Sequence, residues 1–130
     1  MKAMDIEELI KKILDCAFTV RQYLAQGFEE KIYKNALVIE LRDNGIEVKT
    51  EVPCVVHYKE HIVGQYRVDL LVENRVIVEL KACNTLNLAH EVQLVNYLTA
   101  MRIDHGLLIN YGGGRIECKR KYRVYRSAQK

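Results

Sequence analysis

The chain lacks any run approaching the roughly 18 consecutive apolar residues of a membrane-spanning helix, and its N-terminus, MKAMDIEEL, lacks the apolar region of a secretory signal. A soluble, cytoplasmic protein is therefore expected. There is no CxxC pair either. Cys16, Cys54, Cys83 and Cys118 are scattered, three of them in apolar or strand-like runs, so they read as reduced and structural, not as a disulfide framework or a zinc knuckle. His57, His61, His90 and His105 show no metal-ligand spacing and read as surface or capping residues. Gly112, Gly113 and Gly114 are not followed by a helix opening with Lys and Ser or Thr, which removes a Walker-type or dinucleotide site and leaves a flexible turn. Repeats and linkers are missing too. The 130 residues are expected to form one domain, 1–130, large enough to hide about two-thirds of the unfolded surface around a single core.

Charge is small overall, at a formal +3, but unevenly placed. From Arg115 to Lys130 seven Lys or Arg (Arg115, Lys119, Arg120, Lys121, Arg123, Arg126, Lys130) face Glu117 alone, with Tyr122 and Tyr125 interleaved. Such an end fits a phosphate-binding edge, or equally a solvated tail that aids solubility.

The most informative stretch is QYRVDLLVENRVIVELKAC, residues 65–83. VDLLV and VIVEL read as strands, and Glu73, Asn74 and Arg75 between them as a turn. Glu79 and Lys81 must share a face, because a strand alternates its side chains with period two. Asp69 joins them only if the three turn residues form a three-residue loop; a two-residue loop would put it on the opposite face. In the first register two carboxylates and an ammonium gather. Partly buried carboxylates at close range need something positive between them, which a divalent metal beside Lys81 would supply. On a solvated face the same three would be a salt-bridged trio.

Upstream, residues 5–25 carry a helical apolar stripe that Gly27 ends, and a second helix is expected from about Phe28 to Asn44, closed by Gly45. Glu30, Tyr33, Leu37 and Leu41 fall on one narrow face of it, so Glu30 is either a helix-start residue favoured by the dipole or an inward-facing functional group; Glu29 faces solvent. Residues 46–59 read as a strand with Pro53 at a bulge or an edge. Downstream come a helix from about Asn87 to Met101, with Leu88, Val92, Val95, Leu98 and Leu94 as its packing set, a buried strand at Gly106–Tyr111, and a last edge strand over Ile116–Tyr125. Helix, helix, three strands, helix, one or two strands give a mixed sheet with helices on its faces, an α/β (α+β) fold.

Asp69 followed by Glu79, Leu80 and Lys81 resembles the signature of the PD-(D/E)XK nuclease superfamily. Gly27, Glu30 and Tyr33 in GFEEKIY give the pattern of the GxxExxY proteins, a small-protein branch of it, and Gln93 and Tyr97 in QLVNY match the QxxxY element of its recombination-type exonuclease branch. Val68, not proline, precedes Asp69, as in many members. The resemblance implies a restriction-endonuclease-like α-β-β-β-α-β core and a nuclease using Mg²⁺ or Mn²⁺. Asp69, Glu79, the Leu80 carbonyl and Glu30 would be metal ligands, Lys81 would position water or phosphate, and Tyr33, Gln93 and Tyr97 would orient substrate, with Lys119, Arg120, Lys121 and Arg123 holding phosphates.

Nucleic acid, DNA ahead of RNA, is the implied partner. With no separate recognition domain, substrate choice is expected to depend on a homodimer or a larger assembly. The alternative is a catalytically silent binding module that keeps the fold as an accessory subunit.

Overall fold

Apolar residues spaced by three and four wind Ile6–Tyr23 into α1, which buries Leu9, Ile10, Ile13, Cys16, Ala17 and Val20 and carries Glu7 and Glu8 at the end where the helix dipole favours negative charge. Gly27 turns the chain with a φ of 114°, and α2 runs over Glu30–Asp43, starting two residues later than expected and closing at Gly45 with a φ of 73°. The computed structural model describes residues 4–125, so Arg126 and Lys130 of the basic C-terminal segment lie outside the described residues. No described helix is long and apolar enough to cross a membrane.

Next come β1 (Val48–Tyr58), within the strand expected over 46–59, and β2 (His61–Val72), which starts well before the VDLLV segment, then β3 (Val76–Lys81), α3 (Leu88–Met101), β4 (His105–Asn110) and β5 (Glu117–Tyr122). They form one five-stranded sheet in chain order, antiparallel except where α3 carries the chain from β3 to a parallel β4. The α+β mixed sheet flanked by helices is thus as expected. Pro53 lies on the edge strand β1, where a missing N–H costs no ladder bond.

Period-two alternation divides the core between the two faces of the sheet. Leu70, Val72, Val76, Val78, Leu80, Leu107 and Ile109 pack under α1 and α2. Cys54, Val68, Leu71, Ile77 and Leu108 pack under α3. On α3 the packing set is Leu94, Tyr97 and Leu98, while Leu88 and Val92 stay exposed, contrary to the periodicity reading. Asn87 caps the helix and His90 returns the bond, one of the capping histidines expected.

One irregularity positions everything that follows. Val68 and Leu70, two residues apart, belong to opposite cores, and so do Val48 and Cys54 on β1. The change of face falls at Asp69 and at Glu51 opposite it, whose φ of 51° takes it out of the ladder between the Thr50–Leu70 and Val52–Val68 pairs, while the register itself shifts only further out, between Val56 and His57. The distal hairpin thereby swings away from β3.

The chain's exit from β3 is tied to the end of β4. Asn110, wholly buried, accepts from the Cys83 N–H at 3.0 Å and donates to the Cys83 carbonyl at 2.8 Å. Gly112 passes so close that a Cβ there would overlap the backbone of Ala82 and Cys83, whereas Gly114 has open space around it. The three glycines are therefore unequal, and the first is a close-approach position, not only part of a flexible turn. Gly112→Ala should cost about 1–3 kcal/mol of stability in urea unfolding, and Gly114→Ala should stay within about 0.5 kcal/mol of the parent.

Candidate active site

The β2–β3 turn decides the register. Glu73 and Asn74 both adopt positive φ, 53° and 56°, and the Arg75 N–H donates to the Val72 carbonyl at 2.9 Å. Val72 then pairs with Val76, Leu71 with Ile77 and Leu70 with Val78, so three residues form the loop and Asp69 falls opposite Glu79. Beyond Leu70 the backbone ladder stops. Two side chains replace it: the Asp69 N–H donates to Glu79 Oε2 at 2.7 Å, and the Leu80 N–H donates to Asp69 Oδ2 at 2.9 Å. Because a strand residue's N–H and C=O project to the same side, the Leu80 carbonyl also points towards β2.

Glu30 enters from α2. The Tyr33 hydroxyl donates to the Ala25 carbonyl and accepts the Phe28 N–H, closing the loop that Gly27 turns, and its ring stacks on Tyr111 with centroids 4.5 Å apart and planes 4° apart. The G-x-x-E-x-x-Y spacing thus has a mechanical meaning here: Gly27 and Tyr33 fix the helix start that presents Glu30. Tyr33 itself is wholly buried with its hydroxyl engaged, so the expectation that it binds substrate is corrected.

Burial and like charge dominate the electrostatics. Glu79 is only 7% exposed, and its carboxyl is pushed up to about 8 by desolvation and then by the charge of Asp69. Asp69 is raised by desolvation, against the pull of the Leu80 N–H and of Lys34 and Lys81. Glu30 is raised by burial and by Asp69. Four expected residues, Glu30, Asp69, Glu79 and Lys81, therefore feel one another. Two members of the cluster escaped the sequence reading: Lys34, which forms an ion pair with Glu51, and Glu51 itself. Lys34 had a signal, lying one turn beyond Glu30 on the same helix face. Glu51 had none, because its left-handed backbone cannot be read from composition.

A hard divalent cation takes oxygen ligands, and this set is all oxygen: Asp69, Glu79 and the Leu80 carbonyl. The recorded hydrogen bonds use one oxygen of each carboxylate and leave Oδ1 of Asp69 and Oε1 of Glu79 open. The chemistry fits. Glu30 stands close enough for its charge to raise the proton affinity of Glu79 further.

Gln93 and Tyr97 share an edge of α3 and line a groove facing the hairpin. Tyr97 is only 6% exposed and its hydroxyl is pushed up to about 12 by burial and the charge of Glu79. The basic residues of β5 and its extension are largely committed within the fold. Arg120 holds Glu7 with two hydrogen bonds, Lys121 pairs with Glu91, and Arg123 pairs with Asp104. Lys119 is exposed and has no ion-pair partner among the described residues.

A sequence-family model of the PD-(D/E)XK nuclease superfamily matches residues 7–122. With the fold and the Asp69, Glu79, Lys81 arrangement in place, the chain belongs to that superfamily. No curated protein matches it. Among solved structures it is similar to the crystal structure of SSO0001, with a TM-score of 0.61 and 20% identity over 74% of this chain, which shares the fold. It spans about half the length of that protein, 52%. Superfamily members generally use divalent metal ions and act on nucleic acid.

The raised carboxyls give a pH prediction for the metal-free protein. Between about 4.5 and about 8 the unfolded chain loses the Glu79 proton while the folded chain keeps it, so the folded state binds more protons and stability falls as pH rises. Thermal midpoints in chelator should decline across that window. Glu79→Gln, which removes the titration and keeps an acceptor for the Asp69 N–H, should flatten the decline and raise the midpoint near pH 8.

Proposed function

We propose that this chain is a divalent-metal-dependent nuclease that hydrolyses phosphodiester bonds, of DNA in preference to RNA, and that it belongs to the GxxExxY branch. The observation that carries the reading is the placement of Asp69 opposite Glu79 where the β2–β3 ladder opens, with Lys81 on the face of Glu79. A catalytically inert fold gains nothing from two desolvated carboxyls with raised proton affinity, one of them raised further by the charge of the other.

A divalent cation, when bound there, supplies charge stabilisation at the phosphate and activates water. Asp69 and Glu79 offer it their open oxygens, and the Leu80 carbonyl adds a neutral one. Lys81 holds a phosphate oxygen or the attacking water by a charge-assisted hydrogen bond. Glu30, with raised proton affinity, orients water at the cluster's edge, while Lys34 offsets the carboxylates' charge. Gln93 and Tyr97 orient substrate from α3. On β5, Lys119 is the residue left to add phosphate affinity; Arg120, Lys121 and Arg123 would first have to leave their ion pairs. Substrate choice falls to a homodimer or a larger cytoplasmic assembly.

The alternative is an accessory module that keeps the fold and binds without cutting. A panel of linear, nicked, single-stranded and branched DNA and of RNA, with Mg²⁺ or Mn²⁺, separates the two. Cleavage that falls about 10²–10³-fold in turnover in Lys81→Ala, with an unchanged unfolding midpoint, is the expected result. Binding across the panel without cleavage by the parent would favour the accessory module.

A further inference from the structure

We propose that the groove between the β1–β2 hairpin and α3 is a nucleobase subsite, holding the base of an unpaired nucleotide beside the phosphate at Asp69 and Glu79. The inference rests on the nuclease reading of those carboxylates and adds the strandedness of the substrate. The groove encloses about 540 Å³, within the range of about 300 to 1,000 Å³ of small-molecule sites. Val56, Tyr66, Val92, Gln93, Asn96 and Tyr97 line it.

Three features select a base as the occupant. The rings of Tyr66 and Tyr97 have centroids 5.4 Å apart but are inclined by 51°, so they do not cover each other, and Tyr66 stays 50% exposed with a face available for stacking. Gln93 and Asn96 each present a donor and an acceptor, the complement of a base edge, among otherwise uncharged walls. Glu79 lies on the groove's side of the sheet: Ile77 packs in the cluster that contains Tyr97, and Glu79 projects from the same face of β3 as Ile77. Past Tyr66 and Asn96 a second depression of about 590 Å³ adds His57 and Arg102, a cation where a neighbouring phosphate would follow.

A paired base in a duplex has both faces covered by its neighbours and cannot reach Tyr66 without unstacking. Single-stranded nucleic acid is therefore the substrate class that fits. Stacking is tolerant of sequence, so the subsite selects strandedness and not a particular base.

The test is a fluorescence titration of a short single strand carrying one 2-aminopurine, beside the same sequence as a blunt duplex, with Ca²⁺ replacing Mg²⁺. The parent should bind the single strand more tightly than the duplex and change the probe's emission. Tyr66→Ala should weaken single-strand binding between about five- and a hundredfold, leave the duplex nearly unaffected and abolish the emission change, while Tyr66→Phe should retain both. Asn96→Ala, at an exposed position on α3, should weaken the single strand in the same sense without touching the core. Equal affinity for both strand forms, indifferent to Tyr66 and Asn96, would overturn the subsite and leave the nuclease reading standing. No binding of either form would overturn both.

Discussion

The structure depends on the exchange of hydrogen bonds between Asp69 and β3. Where β2 parts from β3, the strands would leave buried N–H groups without partners; the Glu79 carboxylate takes the Asp69 N–H at 2.7 Å and the Asp69 carboxylate takes the Leu80 N–H at 2.9 Å. An unsatisfied buried donor costs about 1–3 kcal/mol, so the two acids are anchored by the backbone they serve. The same anchoring holds Asp69 close enough to raise the proton affinity of Glu79, while desolvation raises both. Stability and chemistry meet in one pair of side chains.

Around that pair the fold is a means of opening a ladder in one place. The change of face at Glu51 and Asp69 turns the distal hairpin from one core to the other, and this creates both the gap above Glu79 and the groove against α3. On the other side, the parallel register of β3 with β4, the Asn110 clasp on Cys83 and the close passage of Gly112 hold the end of β3 still. Lys81 stands at the carboxyl end of that strand.

Much of this was legible in the sequence. Charged residues inside Val- and Ile-rich runs stand out, and the polar triplet Glu73, Asn74, Arg75 made the register that faces Asp69 with Glu79 one of two alternatives. Helical spacing put Glu30 on the stripe of Tyr33, Leu37 and Leu41. What escaped was tertiary. The left-handed φ of Glu51 leaves no trace in composition, and without it the hairpin's swing, the Lys34–Glu51 pair and the groove at Tyr66 could not be foreseen. Tyr33 carries a hydroxyl that sequence reading assigns to substrate, but long-range packing on Tyr111 spends it inside. The basic C-terminal segment looked free because its partners, Glu7, Glu91 and Asp104, come from elements far along the chain.

The central claim is that Asp69 and Glu79 are held together for a divalent cation, and anomalous diffraction from crystals soaked in Mn²⁺ tests it most directly. A peak within about 2.0 to 2.6 Å of an oxygen of each carboxylate, lost in Asp69→Asn, is the predicted result. A peak elsewhere, or none at saturating Mn²⁺ with the two carboxylates still bonded to the Asp69 and Leu80 N–H groups, would contradict it.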